Sequence, residues 1–313
     1  VGESTVSRVL RNAGSISANA RERVEAAVAR LGYVPNRIAG MLASEGSSLV
    51  AVIVPSLSNN VFPKVLAGAN HAIEAAGYQS VVGVSEYDLD REERLVRAML
   101  SWRPAGVLIS GLEHTAYATE MLRNCGVRVA EVMDTDGDGV DLVVGFSSRA
   151  VGLASARHLI ERGYRRLGYV GHDVTRDTRA KKRVEGFSQA LAEQGLSLID
   201  QEIVPSLSSV EAGRDGLSRL LNRSANLDAV YFSNDDMALG GYFHCLSQGL
   251  TVPDRLALFG FNGLDIGRAM PQPLSTIKTQ RFLIGERAAT LVISDAEPCV
   301  VDVGFELIEG ATA

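Results

Sequence analysis

Two textures of hydrophobic spacing divide the chain. Over the first 44 residues the apolar positions fall at helical intervals. Val6, Val9 and Leu10 lie on one side of a helix over 5–12, and Val24, Ala27, Val28 and Leu31 on one face of a second over 18–31. Ser17 stands where the second helix needs an N-cap, and Gly32 where a left-handed C-cap would end it. Pro35 and a short segment over 37–43 follow, and a polar linker closes the region at 45–48. From residue 49 the pattern becomes one of continuous apolar runs between amphipathic stretches. Strands at 49–55, 80–85, 106–110 and 127–133 interleave with helices at 61–76, 90–102 and 116–124. The alternation restarts near residue 149, with helices at 150–162, 179–194, 210–222 and 237–248 around strands at 167–171, 202–204, 229–233 and 256–260. Uninterrupted apolar strands between helices predict βαβ units. The fold class is therefore α/β: two doubly wound lobes of similar size behind a helical front.

In such lobes the residues that follow the strands converge on a crevice, and ligands bind there. Five places at strand ends interrupt the apolar pattern. They are Ser56, Asn60 and Phe62 after the first strand, Glu131 and Asp134 at 131–134, Arg179 and Arg183 opening a helix, Asn234 after 229–233, and Asn262 with Asp265 after 256–260. Any single one also reads as a turn former or helix cap. Their recurrence predicts an effector site in a cleft between the lobes.

Composition fits a soluble globular protein: 313 residues, 46% hydrophobic and 22% charged, with a mean hydropathy of +0.08. The apolar runs are far shorter than a membrane span, and no basic-then-apolar leader opens the chain. Cys125, Cys245 and Cys299 are scattered without a paired spacing, so neither a disulfide framework nor a metal site is expected, and a reducing cytoplasm is the expected location. A net charge of −6 argues at first against nucleic acid. Residues 1–44, however, carry six arginines (8, 11, 21, 23, 30 and 37) against three glutamates, so all the net negative charge lies behind them. A cationic front on an acidic body suits a polyanion at one end only.

Within that front, Glu3, Ser4, Ser7 and Arg8 share the polar side of the first helix, with Val6, Val9 and Leu10 behind. Small polar side chains and an arginine near a helix N-terminus are what base edges and phosphates require, and Arg21 at the start of the second helix is within reach of a phosphate. The runs Thr5-Val-Ser-Arg-Val, Arg21-Glu-Arg-Val and Leu31-Gly-Tyr-Val-Pro-Asn-Arg, with Ser17 and Leu42-Ala, resemble the headpiece of LacI-type repressors. The resemblance covers essentially the whole chain. It implies lobes of the periplasmic-binding-protein type I fold, a helix-turn-helix headpiece over 1–34, a hinge helix and linker over 35–48, and an effector-binding and dimerisation domain over 49–313. Its N-lobe is expected over 49–148 with a return segment near 275–295, and its C-lobe over 149–274 with the C-terminal segment. It also implies DNA-binding roles for Thr5, Arg11, Ser17, Tyr33, Asn36 and Ala39, and for Leu42 as a minor-groove wedge. The chain begins inside the motif, with Gly2 at the usual Ser or Thr cap. The family's first helix is thus expected to be missing, and DNA binding by the chain as written to be poor.

The same resemblance puts Asp134, Arg183, Asn234 and Asn262 in the effector pocket. Asn262 stands where the family usually has an Asp, Ser208 where others carry a stacking aromatic, and Arg281 where others have an apolar ring. Less negative charge, no stacking platform and the arginines Arg179, Arg183 and Arg281 favour an anionic ligand. Pro55-Ser-Leu, Met99-Leu-Ser-Trp, Glu131-Val-Met-Asp and Gly260-Phe-Asn-Gly-Leu-Asp-Ile-Gly resemble the gluconate-utilisation repressors of this family. That implies a sugar acid such as gluconate, its 6-phosphate or a keto-gluconate, acting through lobe closure in a homodimer on a palindromic operator.

Two other classes compete. An enzyme lacks support: there is no GxGxxG after the first strand and no Walker, GxSxG or HExxH motif, the five histidines are dispersed, and no cofactor is implied. A periplasmic-type solute-binding protein for a sugar or sugar acid shares the lobes, but has no use for the Thr5-Val-Ser-Arg-Val run or a hinge helix.

Overall fold

The first strand of the larger unit, β1 (Leu49–Val54), reads Leu-Val-Ala-Val-Ile-Val and is buried along nearly its whole length, as a strand covered by helices on both faces must be. The computed structural model describes residues 1–10, 14–33, 47–58 and 61–313, which fall into two units, Val1–Ser47 and Ser48–Ala313. Arg11, Asn36, Ala39, Leu42 and Asn60, and the expected hinge helix, lie outside the described residues.

In the smaller unit, helix α1 (Glu3–Leu10) starts two residues before the apolar spacing suggested, because the Gly2 carbonyl already accepts from the Thr5 and Val6 amides at 3.0 and 3.1 Å. Helix α2 (Ala18–Leu31) opens on the Ser17 hydroxyl, which accepts from the Ala20 amide. It closes on Gly32 at φ 57°, where the Gly32 and Tyr33 amides turn back to the Ala29 and Val28 carbonyls. The two helices pack together with Val9 and Val24 as their buried side chains.

The larger unit holds two six-stranded sheets. The first lobe runs β1, α3 (Val61–Ala75), β2 (Gln79–Val84), α4 (Leu89–Leu100), β3 (Gly106–Ser110), α5 (Ala116–Arg123), β4 (Arg128–Val132) and β5 (Leu142–Gly145). The second runs α6 (Ser148–Glu161), β6 (Leu167–His172), α7 (Thr178–Glu193), β7 (Asp200–Val204), α8 (Val210–Arg223), β8 (Ala229–Phe232), α9 (Asp235–Gln248), β9 (Ala257–Asn262), α10 (Asp265–Arg268) and β10 (Ser275–Thr279). The chain then returns to the first lobe with α11 (Arg281–Val292) and β11 (Cys299–Asp302), and ends in the second with β12 (Phe305–Ile308). Sheet orders are β11-β5-β4-β3-β1-β2 and β12-β10-β9-β8-β6-β7, parallel throughout except for the β10–β12 pair. The return to the N-lobe therefore begins at Arg281, because Ser275–Thr279 pairs with β9 of the C-lobe. Three chain crossings join the lobes, after β5, β10 and β11.

Glycines set how closely the helices approach. Gly152 of α6 and Gly186 of α7 face one another's backbones, and a Cβ at either would collide with the carbonyl oxygen of Arg183 or Arg149 respectively. This crossing fixes the height of α7, the helix that supplies the arginines of the cleft. No helix among the described residues is long and apolar enough to cross a membrane, and the three cysteines are unpaired.

Candidate functional site

Between the lobes lies a small cavity lined from both sides, at the place where ligands bind in doubly wound folds. The N-lobe contributes Val61, Phe62, Tyr87 and Met133, and Phe146 lies beside the first crossing. The C-lobe contributes His172, Asp177, Arg179, Arg183, Ser208, Asn234, Phe261 and Asn262. Strand ends and helix starts position nearly all of them, as expected of doubly wound sheets.

Helix α7 carries the charge. Asp177 is its N-cap and accepts from the Ala180 amide at 3.2 Å. The other carboxylate oxygen lies 3.2 Å from His172 Nε2, and His172 Nδ1 lies 3.0 Å from the Ser233 hydroxyl. Burial works to raise the Asp177 pKa, but Arg179 and His172 outweigh it and hold the carboxyl well below the usual range. Arg179 donates across the cleft to the Ser110 hydroxyl at 2.7 Å, and its guanidinium stands 5.5 Å from the centre of the Phe62 ring. Arg183, one helical turn further on the same face, is only 6% exposed. It stands 4.0 Å from the centre of the Phe261 ring and makes one long bond, 3.4 Å, to the Ser233 carbonyl. Its buried Nε has no partner among the described residues. Two guanidinium groups thus face the cavity against one carboxylate, and one of them retains an unused donor.

Neutral polar groups complete the lining. Asn234 caps α9 through Oδ1, which accepts from the Met237 amide, so its amide nitrogen remains for a ligand. Asn262 sits at φ 119° and Met133 at φ 78°, strained conformations for non-glycine residues that fall on the cavity wall.

Of the residues expected at the effector site, Phe62, Arg179, Arg183, Asn234 and Asn262 come together here. Ser56 lines an adjoining recess with Ser58, Ser206 and Ser208. Four others lie elsewhere. Glu131 is buried behind the sheet, accepting from the Val140 amide and facing His114. Asp134 has no exposed surface and binds the Lys182 ammonium at 2.6 Å. Asp265 is exposed at the start of α10. Arg281 starts α11 and donates to the Gly263 carbonyl at 3.2 Å, supporting the turn after Asn262 from behind. The expectation of no aromatic platform also needs correction, since Phe62, Phe146 and Phe261 all line the cavity. Phe146 and Phe261 sit among apolar neighbours in sequence and read there as ordinary core. Tyr87, Met133, His172 and Asp177 were missed; only the placement of Asp177 just before an amphipathic helix could have marked it.

In the smaller unit, Glu3, Ser4 and Arg8 are exposed on α1, while Thr5 and Ser7 are half-buried. Arg21 lies 3.9 Å from Glu25, Ser17 is spent on its cap, and Tyr33 is exposed.

Comparison with known proteins agrees with both units. Residues 47–303 match the family of periplasmic binding proteins and sugar-binding domains of the LacI family, and residues 1–36 match the bacterial regulatory proteins of the lacI family. The HTH-type transcriptional regulator GntR of Pseudomonas aeruginosa is 37% identical over 97% of this chain and 90% of its own length. GntR of Escherichia coli is 33% identical, covering 100% of this chain and 95% of its own. A LacI-family transcriptional regulator from Silicibacter pomeroyi superposes with a TM-score of 0.95 at 43% identity, over 100% of this chain and 96% of that one. The lac repressor dimer bound to operator, 24% identical with a TM-score of 0.86 over 100% of this chain and 95% of its own, shares the fold. With a regulatory headpiece matched at one end and a sugar-binding-type sensor over the rest, the chain belongs to the LacI family of DNA-binding transcriptional regulators.

Proposed function

We propose that this regulator is a repressor whose operator affinity is set by a sugar acid bound between the lobes. The observation that carries the reading is the buried Arg179–Arg183 pair on one face of α7, with a guanidinium Nε that has no partner, and a single facing carboxylate, among the described residues. A planar guanidinium with free donors grips a carboxylate, and a buried cation left without an anion is costly. The rest of the ligand has a different environment. The adjoining recess offers hydroxyls from Ser56, Ser58, Ser206 and Ser208, with Asp173 and Asp177 against Arg176. Hydroxyls and carboxylates suit a polyol chain. The ligand is therefore an aldonate such as gluconate, its carboxylate on Arg183 and its hydroxyl tail toward the serines. The resemblance to gluconate-utilisation repressors and the two relatives named GntR support the same class.

On DNA, Glu3, Ser4, Thr5, Ser7 and Arg8 present the reading face of α1, Arg21 reaches a phosphate, and the segment over 35–48 serves as hinge in a homodimer on a palindrome. The arrangement of the lobes sets hinge spacing, and the effector acts through its different affinities for the two arrangements. Calorimetric titration with D-gluconate, 6-phospho-D-gluconate and D-glucose tests the sensor. Binding of D-gluconate with no heat from D-glucose is expected, and the reverse would overturn the anion assignment.

A further inference from the structure

Helix α7 meets the opposite lobe through more than its effector-facing side. On its flank, Lys182 donates to Asp134 Oδ2 and to Glu113 Oε1, both at 2.6 Å. One turn earlier, the Thr178 hydroxyl donates to the other Glu113 oxygen at 2.7 Å. Asp134 and Glu113 follow β4 and β3 of the N-lobe, whereas Lys182 and Thr178 belong to the C-lobe. None of these four residues lines the effector cavity. The Asp134 carboxylate has no exposed surface, and its other contact is the Asp136 amide at 3.1 Å. Burial works to depress the Lys182 pKa, yet its hydrogen bonds to Asp134 and Glu113 hold it above the ordinary lysine value, so the ammonium is charged at neutral pH.

We infer that Lys182 is a positioning residue, the centre of a clasp that keeps the cleft closed and α7 seated without any ligand. The reasoning is one of solvation. A carboxylate sealed as deeply as Asp134 needs its cation, and without Lys182 its recourse is water. Water reaches it when the lobes part. With the clasp in place, the arginines of α7 already stand opposite the N-lobe wall, so an effector meets an assembled site and does not have to recruit a sparsely populated closed form. The inference holds whatever the effector is.

Hydrogen exchange on the full chain without added ligand tests it. In Lys182→Met, amides spanning 110–114 and 177–184 are expected to exchange at least about fivefold faster, while the β8 and β9 strands stay as protected as in the parent. Glu113→Gln, at a half-exposed site, removes one arm and is expected to give a smaller increase in the same segments. Adding Asp134→Asn to Lys182→Met is expected to return the rates toward the parent's, since no buried charge then remains to be hydrated. Unchanged cleft exchange in both single variants would overturn the clasp. So would an increase spread evenly over the C-lobe, which marks a purely structural role.

Discussion

The Arg183 guanidinium stands 4.0 Å from the centre of the Phe261 ring, with its Nε buried and unpartnered. The cation lies over the face of the ring, and the buried Nε keeps a donor free for a ligand. Removal of Arg183 takes away the charge-assisted contact to a ligand carboxylate. Arg183→Ala is expected to weaken D-gluconate binding by about 1.5–3 kcal/mol, measured calorimetrically. Arg183→Lys keeps the charge but loses the two-pronged grip of a guanidinium, and most of that loss is expected to persist. Equal affinity in Arg183→Lys and the parent would show that charge alone holds the ligand.

Stability should depend on pH through a histidine that was not expected to matter. His114 is enclosed between Glu92, 2.6 Å from Nδ1, and Glu131, 3.3 Å from Nε2. Burial lowers its pKa, but the two facing glutamates, Glu131 as an ion pair and Glu92 also through a hydrogen bond, prevail and raise it from 6.5 to about 9. The folded state therefore holds this proton more tightly than the unfolded one. Its stabilisation is complete below pH 6.5 and disappears as pH rises through about 9. Melting curves at pH 6, 8 and 10 should show a total loss of order 3 kcal/mol, rather more than half of it between pH 6 and 8 and the rest by pH 10. His114→Gln is expected to be less stable at pH 6 and to lack that share of the alkaline decline. A parallel decline in the two proteins would refute the assignment.

The contrast between Glu131 and Arg183 explains what the sequence makes legible. Apolar runs such as Leu49–Val54 announce buried parallel strands without help, and the restart near residue 149 announces the second lobe. Arg183 is readable because a charged residue on the inward face of a helix needs a reason to be there. Glu131 lies on a strand just as apolar, but its reason is His114, which is 17 residues away in sequence and adjacent only in the folded chain. The same logic points Asp134 toward a ligand, whereas in the folded chain it binds Lys182. A buried charge thus predicts a partner, and only the tertiary fold decides whether that partner is a ligand or another side chain. The return through α11 and β11 was blurred for a related reason: β10 and α11 are contiguous in sequence but belong to different lobes.

The glycine crossing of α6 and α7 offers a purely steric test. A Cβ at Gly186 would collide with the Arg149 carbonyl oxygen, a backbone atom that cannot rotate away. Gly186→Ala must push the helices apart, at about 1–3 kcal/mol of stability. Because α7 bears Arg179 and Arg183, D-gluconate affinity should fall along with the melting temperature. An unchanged melting temperature would mean that the crossing has slack.

Arg21, at the start of α2 and only loosely held by Glu25 at 3.9 Å, tests the headpiece. A phosphate contact is indifferent to sequence and releases counterions. Arg21→Ala is thus expected to weaken operator and random duplex alike, and to reduce the slope of log affinity against log salt by about 1. Band-shift or anisotropy titrations over a salt series decide the point. A change in sequence preference with an unaltered salt slope would assign Arg21 to base reading instead.

The coupling between the two ends carries a constraint that no choice of mechanism can evade. If a sugar acid changes operator affinity by a given factor, the operator must change sugar-acid affinity by the same factor, because both describe one thermodynamic cycle. For coupling of about 1–3 kcal/mol, that factor lies between about 5 and 150, within reach of parallel titrations. D-gluconate affinity, measured with and without saturating operator, should therefore shift by the ratio of operator affinities measured with and without saturating D-gluconate. Lys182→Met changes the free-energy gap between the two lobe arrangements without touching either ligand. Both factors should then change together and stay equal. Two factors that differ beyond error would mean that the molecule responding to D-gluconate is not the one holding the operator.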